Sequence, residues 1–344
     1  MKLSKWNMLF FSVVMLLTGY VILKAADLEA LGVAIRGADR HYLYLGLLCM
    51  VMFWGIEAGI LDILLKKADR RIRFWTSLKT ALIGQYYSFL TPFASGGQPA
   101  QILTLARDRV PAGSATAVLV SKFLIFQISV TAYSFLLLVT HLKYFTGGLE
   151  AAVGFIAIGL SLNTVGLAFI TLAAFKPVWL QQIIDKTIDL LSKFRIVRSE
   201  AHVRSQARQH LEEYHAVIET LKNDLRTTLG MFAMTFVQLT LLFSITYFVY
   251  RSLGLSGATL MQIVTLQALL YMAVSFIPVP GTAGVSEIGF SLILGSVFSA
   301  NIITVAVLLW RGISFYFGLL FCGLFTLYVY IYEKQLLKFR IYVK

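Results

Sequence analysis

Six apolar runs, Met8 to Leu23, His41 to Leu65, Ser114 to Thr140, Ala151 to Phe175, Thr227 to Tyr250 and Ile302 to Tyr332, read as full membrane spans. They confine the chain to one class of fold. The hydrocarbon core offers no water to a backbone N–H or C=O, so a crossing segment of about 20 residues must satisfy its own hydrogen bonds as a helix. With 58% hydrophobic and 14% charged residues, lipid is the solvent for most of the chain. The expectation is an all-α polytopic membrane protein, with residues 1–344 forming one membrane domain.

Two further apolar stretches, Phe74 to Ala106 and Ala258 to Ala300, are broken at their centres. Pro92, Gly96 and Gly97 interrupt the first, and Pro278, Pro280, Gly281 and Gly284 the second. Proline removes a helical donor and glycine is free to leave the helical region, so neither centre continues a helix. Each stretch is expected to be a re-entrant helical hairpin with those residues at its tip.

Charge gives direction, because cytoplasmic loops are rich in Lys and Arg. Lys66, Lys67, Arg70, Arg71 and Arg73 follow the second span, the segment 176–226 holds another dense group, and Lys334, Lys338, Arg340 and Lys344 lie in the tail. With Lys2 and Lys5, these put both termini on the cytoplasmic side of a cell membrane. The first hairpin then enters from inside and the second, after the Arg251 to Gly257 loop, from outside. Lys2 and Lys5 also precede an apolar run as in a secretory signal, but no small-residue cleavage site follows, and the run reads as the first helix.

The two broken regions share an offset. Gln98 precedes Lys122 by the same interval that separates Glu287 from Arg311, and the copies lie 189 positions apart. Opposite charge-derived directions make this the pattern of an inverted-topology repeat, with residues 41–140 and 227–332 as the two cores. Transporters built this way hold substrate between discontinuous helices near the bilayer midplane. Kinks in tightly packed helices are the plainer reading of Pro and Gly here, but leave the matched charges unexplained.

Lys122, Arg311 and Glu57 lie deep inside apolar runs, where a charge costs about 2.5–3.5 kcal/mol on insertion scales and normally faces a cavity or a partner. Snorkelling to the interface is the alternative, more plausible for lysine. Arginine offers a planar fork for phosphate and lysine a point charge. Glu57 is expected to pair with Lys122 or Arg311, or to hold a cation or proton. Glu287 has either a helix-cap role or a functional one, and Asp62 is expected to reach the headgroups. Together Arg311, Lys122, Glu287, Glu57 and Gln98 make the candidate substrate site, with Glu57, Lys122, Glu287 and Arg311 lining one cavity.

Between the halves, the apolar positions from Trp179 to Phe194 recur at helical spacing, as in a helix lying on the inner leaflet. The segment after it reads as a solvated helix, in which His202, His210 and His215 are too dispersed for a metal site. Cys49 and Cys322 sit in separate apolar runs and suggest neither disulfide nor zinc. The formal charge of +13 lies mostly in loops and points to anionic lipid headgroups rather than nucleic acid. No cofactor is indicated.

The segment Pro280-Gly281-Thr282-Ala283-Gly284-Val285-Ser286-Glu287 and the downstream Leu308-Leu309-Trp310-Arg311 resemble the flippase-like membrane domain of lysylphosphatidylglycerol synthetases and their standalone relatives. Ser88 to Gln101 resembles that family's earlier segment. Thr282 stands where the family's Pro-Gly-Gly motif has its second glycine. The resemblance implies movement of a phospholipid, aminoacylated or not, or of a polyprenyl-phosphate-linked lipid, between leaflets. With no soluble domain after the last helix, synthetase activity is not expected. Competing readings are an integral-membrane glycosyl- or phosphotransferase, for which only Asp27, Glu29 and Asp39 lie on the outer segment, and a non-transporting scaffold. The protein partner would be a second copy or a lipid-modifying enzyme.

Overall fold

The computed structural model describes residues 35–68, 71–140, 150–175, 200–275, 279–282 and 284–342, together with Val33, Gln181, Gln182, 185–189, Ser192 and Ile277. The expected first span, Met8 to Leu23, lies outside them, as do Pro278 and most of the Trp179 to Phe194 segment. Among the described residues all regular structure is helical, without a strand. Among the described residues four helical runs are long and apolar enough to cross a membrane: Arg40–Ala68, Ala112–Thr140, Leu225–Ser252 and Ala300–Glu333.

The helices are α1 (Arg40–Ala68), α2 (Phe74–Leu90), α3 (Gly97–Arg107), α4 (Ala112–Thr140), α5 (Glu150–Phe175), α6 (Glu200–Asn223), α7 (Leu225–Ser252), α8 (Leu260–Val274), α9 (Val285–Leu294), α10 (Ala300–Arg311) and α11 (Gly318–Tyr342). A π-helical segment, Gly312–Phe317, joins α10 to α11. The expected last span is therefore not a plain α-helix but one widened in its middle, directly after Arg311.

The central pair is α1 with α7, the most extensive contact in the fold. The two run antiparallel. At one end Asp39 N–H donates to the Ser252 carbonyl, midway Gln238 reaches the Phe53 carbonyl, and at the other end Lys67 pairs with Asp224. Asp224 caps α7 by accepting from Thr227 N–H. Lys67, then the Thr227 donors, hold its carboxyl down at about 2, so the cap stays charged.

Each broken stretch folds back on itself. In the first, Gly84 lies against Gln101, and Gly97 lies against Ser88 and the Gly84 carbonyl. A Cβ on Gly97 would sit 2.0 Å from Ser88 Oγ, so only glycine lets the arms approach this closely. In the second stretch α8 packs on α9. The first arm of each also crosses to the other half of the chain: α2 packs on α11, and α8 on α4. The reciprocal packing encloses the largest apolar cluster, which includes Trp54, Tyr86, Leu270, Phe290, Trp310 and Phe315.

Candidate functional site

The two turns are built alike. Pro92–Ala94 and Pro280–Thr282 are each one turn of 3-10 helix, 188 positions apart. Each contains two consecutive residues in the left-handed region: Phe93 (φ 55°) and Ala94 (φ 54°), then Gly281 (φ 57°) and Thr282 (φ 54°). The arms that follow, α3 and α9, and the next helices, α4 and α10, keep the offset of 188. Gln98 thus corresponds to Ser286, not to Glu287 as the 189 offset had it, and the charged residues of the second copy sit one position further along. Gln98 is exposed and joins neither charged pair.

Thr91 closes the first turn by accepting from Gly96 N–H at 2.8 Å and donating to the Tyr87 carbonyl at 2.8 Å. In the second turn Thr282 carries a strain of about 1–2 kcal/mol, because a β-branched residue occupies a conformation that glycine takes freely. Its hydroxyl bonds the Ser286 hydroxyl at 2.5 Å, and its carbonyl accepts from Arg311. Gly284, at φ 81°, starts α9. The two turns meet one another. Phe89, just before the first turn, packs edge-on against Phe315 of the π segment at 5.4 Å. Gly281 of the second turn lies against the same Phe315 ring.

Arg311, 6% exposed, is the clamp of the second turn. Its Nε donates to Glu287 Oε1 at 2.6 Å, Nη1 to the Gly281 carbonyl at 3.0 Å and Nη2 to the Thr282 carbonyl at 3.1 Å. The guanidinium also stacks over Trp310 and Phe315, 5.3 Å from each ring. The fork expected to face a phosphate is thus aimed at protein acceptors. Glu287 begins α9, close to the helix N-terminus, and its second oxygen, Oε2, is buried without a hydrogen-bond partner among the described residues.

Glu57 and Lys122 form a separate pair. Lys122 Nζ donates to Glu57 Oε1 at 2.5 Å, and Gln238 Nε2 donates to Glu57 Oε2 at 2.9 Å. The two charged side chains are 13% and 14% exposed. Lys122 is ten residues into α4, about 15 Å along the axis. Neither charge faces lipid alone. The four charges expected around one cavity thus stand as two pairs: one between α1, α4 and α7, the other at the second turn.

Sequence reasoning passed over a third charged group. Lys79 of α2 is buried and donates to Asp108 at 2.9 Å and to Glu333 at 2.8 Å, while Thr76 donates to Asp108 at 2.8 Å. Its signal was a lysine inside an apolar stretch. Asp62, expected at the headgroups, is instead buried against the protein, accepting from Ser77 at 2.9 Å and pairing with Lys66 at 2.7 Å. Gln127, Thr131 and Asn163 make a buried polar contact between α4 and α5. Among the described residues no group of three or more His, Cys, Asp or Glu side chains is arranged to hold a metal ion.

Residues 7–322 match the family described as the lysylphosphatidylglycerol synthase TM region. A UPF0104 membrane protein of Archaeoglobus fulgidus is 26% identical over 320 residues, covering 91% of this chain and 94% of the relative. The match takes in both turns, both ion pairs and the packing helices between them, and the chain is a member of the lysylphosphatidylglycerol synthase TM region family.

Proposed function

We propose that the protein is a lipid flippase-like transporter that moves an anionic or aminoacylated phospholipid, or a polyprenyl-phosphate-linked lipid, between the leaflets of a cell membrane. The observation that carries this reading is the meeting of two similarly built turns, each closing a pair of short helices, beside deeply placed charges. In such architectures the substrate passes between discontinuous helices while the two halves rock about the site. Lys122 supplies a point charge for phosphate, and Arg311 and Glu287 fix the shape of the second turn. The family's description points to lipid as the substrate class.

In this reading the halves are inverted-topology copies and the helix pairs are re-entrant hairpins. The antiparallel course of α1 and α7 supports the inversion. The ends of the first pair stay together, as Thr76 and Asp108 show, and those of the second are joined through Tyr250 of α7, whose hydroxyl accepts from Ala258 N–H just before α8 at 2.9 Å and whose ring packs on Phe298 just after α9 at 5.4 Å. Cysteines at Arg73 and Ala106 should both react with an impermeant reagent from the cytoplasmic face, and those at Gly257 and Ala300 both from outside. Labelling of either pair from opposite faces would break the inverted arrangement.

The direct test is reconstitution into liposomes carrying a fluorescent phosphatidylglycerol, with leaflet exposure followed by a membrane-impermeant quencher. The parent protein should expose inner-leaflet probe well beyond the protein-free rate. Equal rates with and without protein would sink the transport reading.

A further inference from the structure

We propose that Glu57 is a proton site linked to anion binding at Lys122: a phosphate or phosphodiester displaces the carboxylate from the ammonium, and Glu57 takes up one proton from water. The inference deepens the transport reading and rests on it for its role in moving lipid, though not for the binding event itself.

The geometry supplies each requirement. Lys122 Nζ has one close anionic partner, Glu57 Oε1 at 2.5 Å, and both side chains are largely buried in spanning helices. An incoming anion can take Lys122 only if Glu57 is left without a bare charge in low dielectric, and protonation is the way a buried carboxylate achieves that. Gln238 suits both states. Its Nε2 now donates to Glu57 Oε2 at 2.9 Å, whereas its Oε1 is buried and accepts no hydrogen bond. An amide carries both donor and acceptor, so a rotation of the side chain lets Oε1 receive the new carboxyl O–H. Glutamine can therefore serve a carboxylate and a carboxylic acid from one position.

Charged groups on α1 itself and on or beside the elements packed against it are committed elsewhere. On its own helix Asp62 pairs with Lys66 and Ser77. From α2, Lys79 pairs with Asp108 and Glu333. On α6, Glu213 accepts from Gly113 N–H and pairs with His210. Arg311, packed beside the π segment, pairs with Glu287, and Tyr316 of that segment interacts electrostatically with both. Tyr271 of α8 lies within electrostatic reach of Glu57. Lys122 is therefore the cation whose loss Glu57 must answer. The proton balance is simple: one proton enters with one negative charge and both leave together, so the loaded site keeps the net charge of the empty one.

The test uses purified full-length protein in uncharged detergent, titrated with short-chain phosphatidylglycerol, short-chain phosphatidylcholine or inorganic phosphate. Proton uptake is read by an indicator dye and the protonated carboxyl by infrared difference spectroscopy. About one proton should be taken up per phosphatidylglycerol bound, and its apparent affinity should fall about tenfold per pH unit where Glu57 is ionised in the free protein. Glu57→Gln should bind without proton uptake and without that pH dependence. Should lysine left alone in the membrane unfold this variant, the doubly neutral Glu57→Gln/Lys122→Met leaves no unpaired ion and should show neither binding nor uptake. Uptake with inorganic phosphate alone would keep the proton link and assign it to a soluble anion. Binding by the parent without proton uptake, uptake retained in either variant, or no binding of any anion would overturn the proposal. Proton-linked binding in a protein that moves no lipid in liposomes would leave this site standing and remove the transport reading.

Discussion

Replacing Arg311 by lysine should reduce lipid movement at least about tenfold and lower stability by about 2–3 kcal/mol, although the charge is kept. The guanidinium bonds Glu287 and the carbonyls of Gly281 and Thr282 at once, from three nitrogens in one plane. A lysine ammonium can meet the carboxylate but cannot span both carbonyls, and each charge-assisted bond lost is worth about 1.5–3 kcal/mol before relaxation. Thr282 is held in the left-handed region partly by that bond, so the turn should relax and lose its fit against Phe315. Thermal unfolding in detergent, measured beside lipid movement, separates the roles. A residue that only gripped a lipid phosphate would lose transport on Arg311→Lys with an unchanged melting temperature. A residue that only balanced charge would lose neither.

Gly281→Ala is expected to be as damaging by the opposite route. Gly281 has a backbone angle that alanine tolerates at modest cost, but a Cβ there would lie 2.2 Å from the edge of the Phe315 ring. That ring is buried and held between Phe89 and Arg311. Overpacking of this kind costs about 1–3 kcal/mol, and here it displaces the contact between the two turns. Transport should fall to near the protein-free rate. Gly281→Ala/Phe315→Leu should recover a good part of both stability and movement, because the smaller side chain makes room for the methyl group. An alanine variant that melts and transports like the parent would show that the turn is not held against Phe315.

Much of this was legible from the chain alone, for reasons that differ by feature. Apolar runs and Pro/Gly interruptions report on a local conflict between backbone and lipid, so α1, α4 and α7 and the two broken stretches could be placed without partners. The pairing of Glu57 was legible to within two partners, since a charge that deep must be answered and few candidates exist. Arg311 was seen as buried and functional, but its bonds run to backbone carbonyls, which have no sequence signature. Gln98 was misaligned because the charged residues stand one position apart from the backbone repeat. Lys79 was missed since its partners Asp108 and Glu333 are 29 and 254 residues away and nothing local links them. The π segment likewise carried no local signal, and its Phe315 packs against Phe89 and Gly281, both far away in sequence.

The exchange of arms between halves, α2 onto α11 and α8 onto α4, has a consequence for the protein's birth. A ribosome delivers α2 early, yet the helix that covers it, and the Glu333 carboxylate that joins Asp108 at Lys79, come late. The first half must wait in the membrane with its seam open while the second is translated. Independent expression of the halves should therefore yield two fragments that are each degraded alone and survive when made together. Quality-control proteases meet this chain as an unfinished pair until α11 is in place.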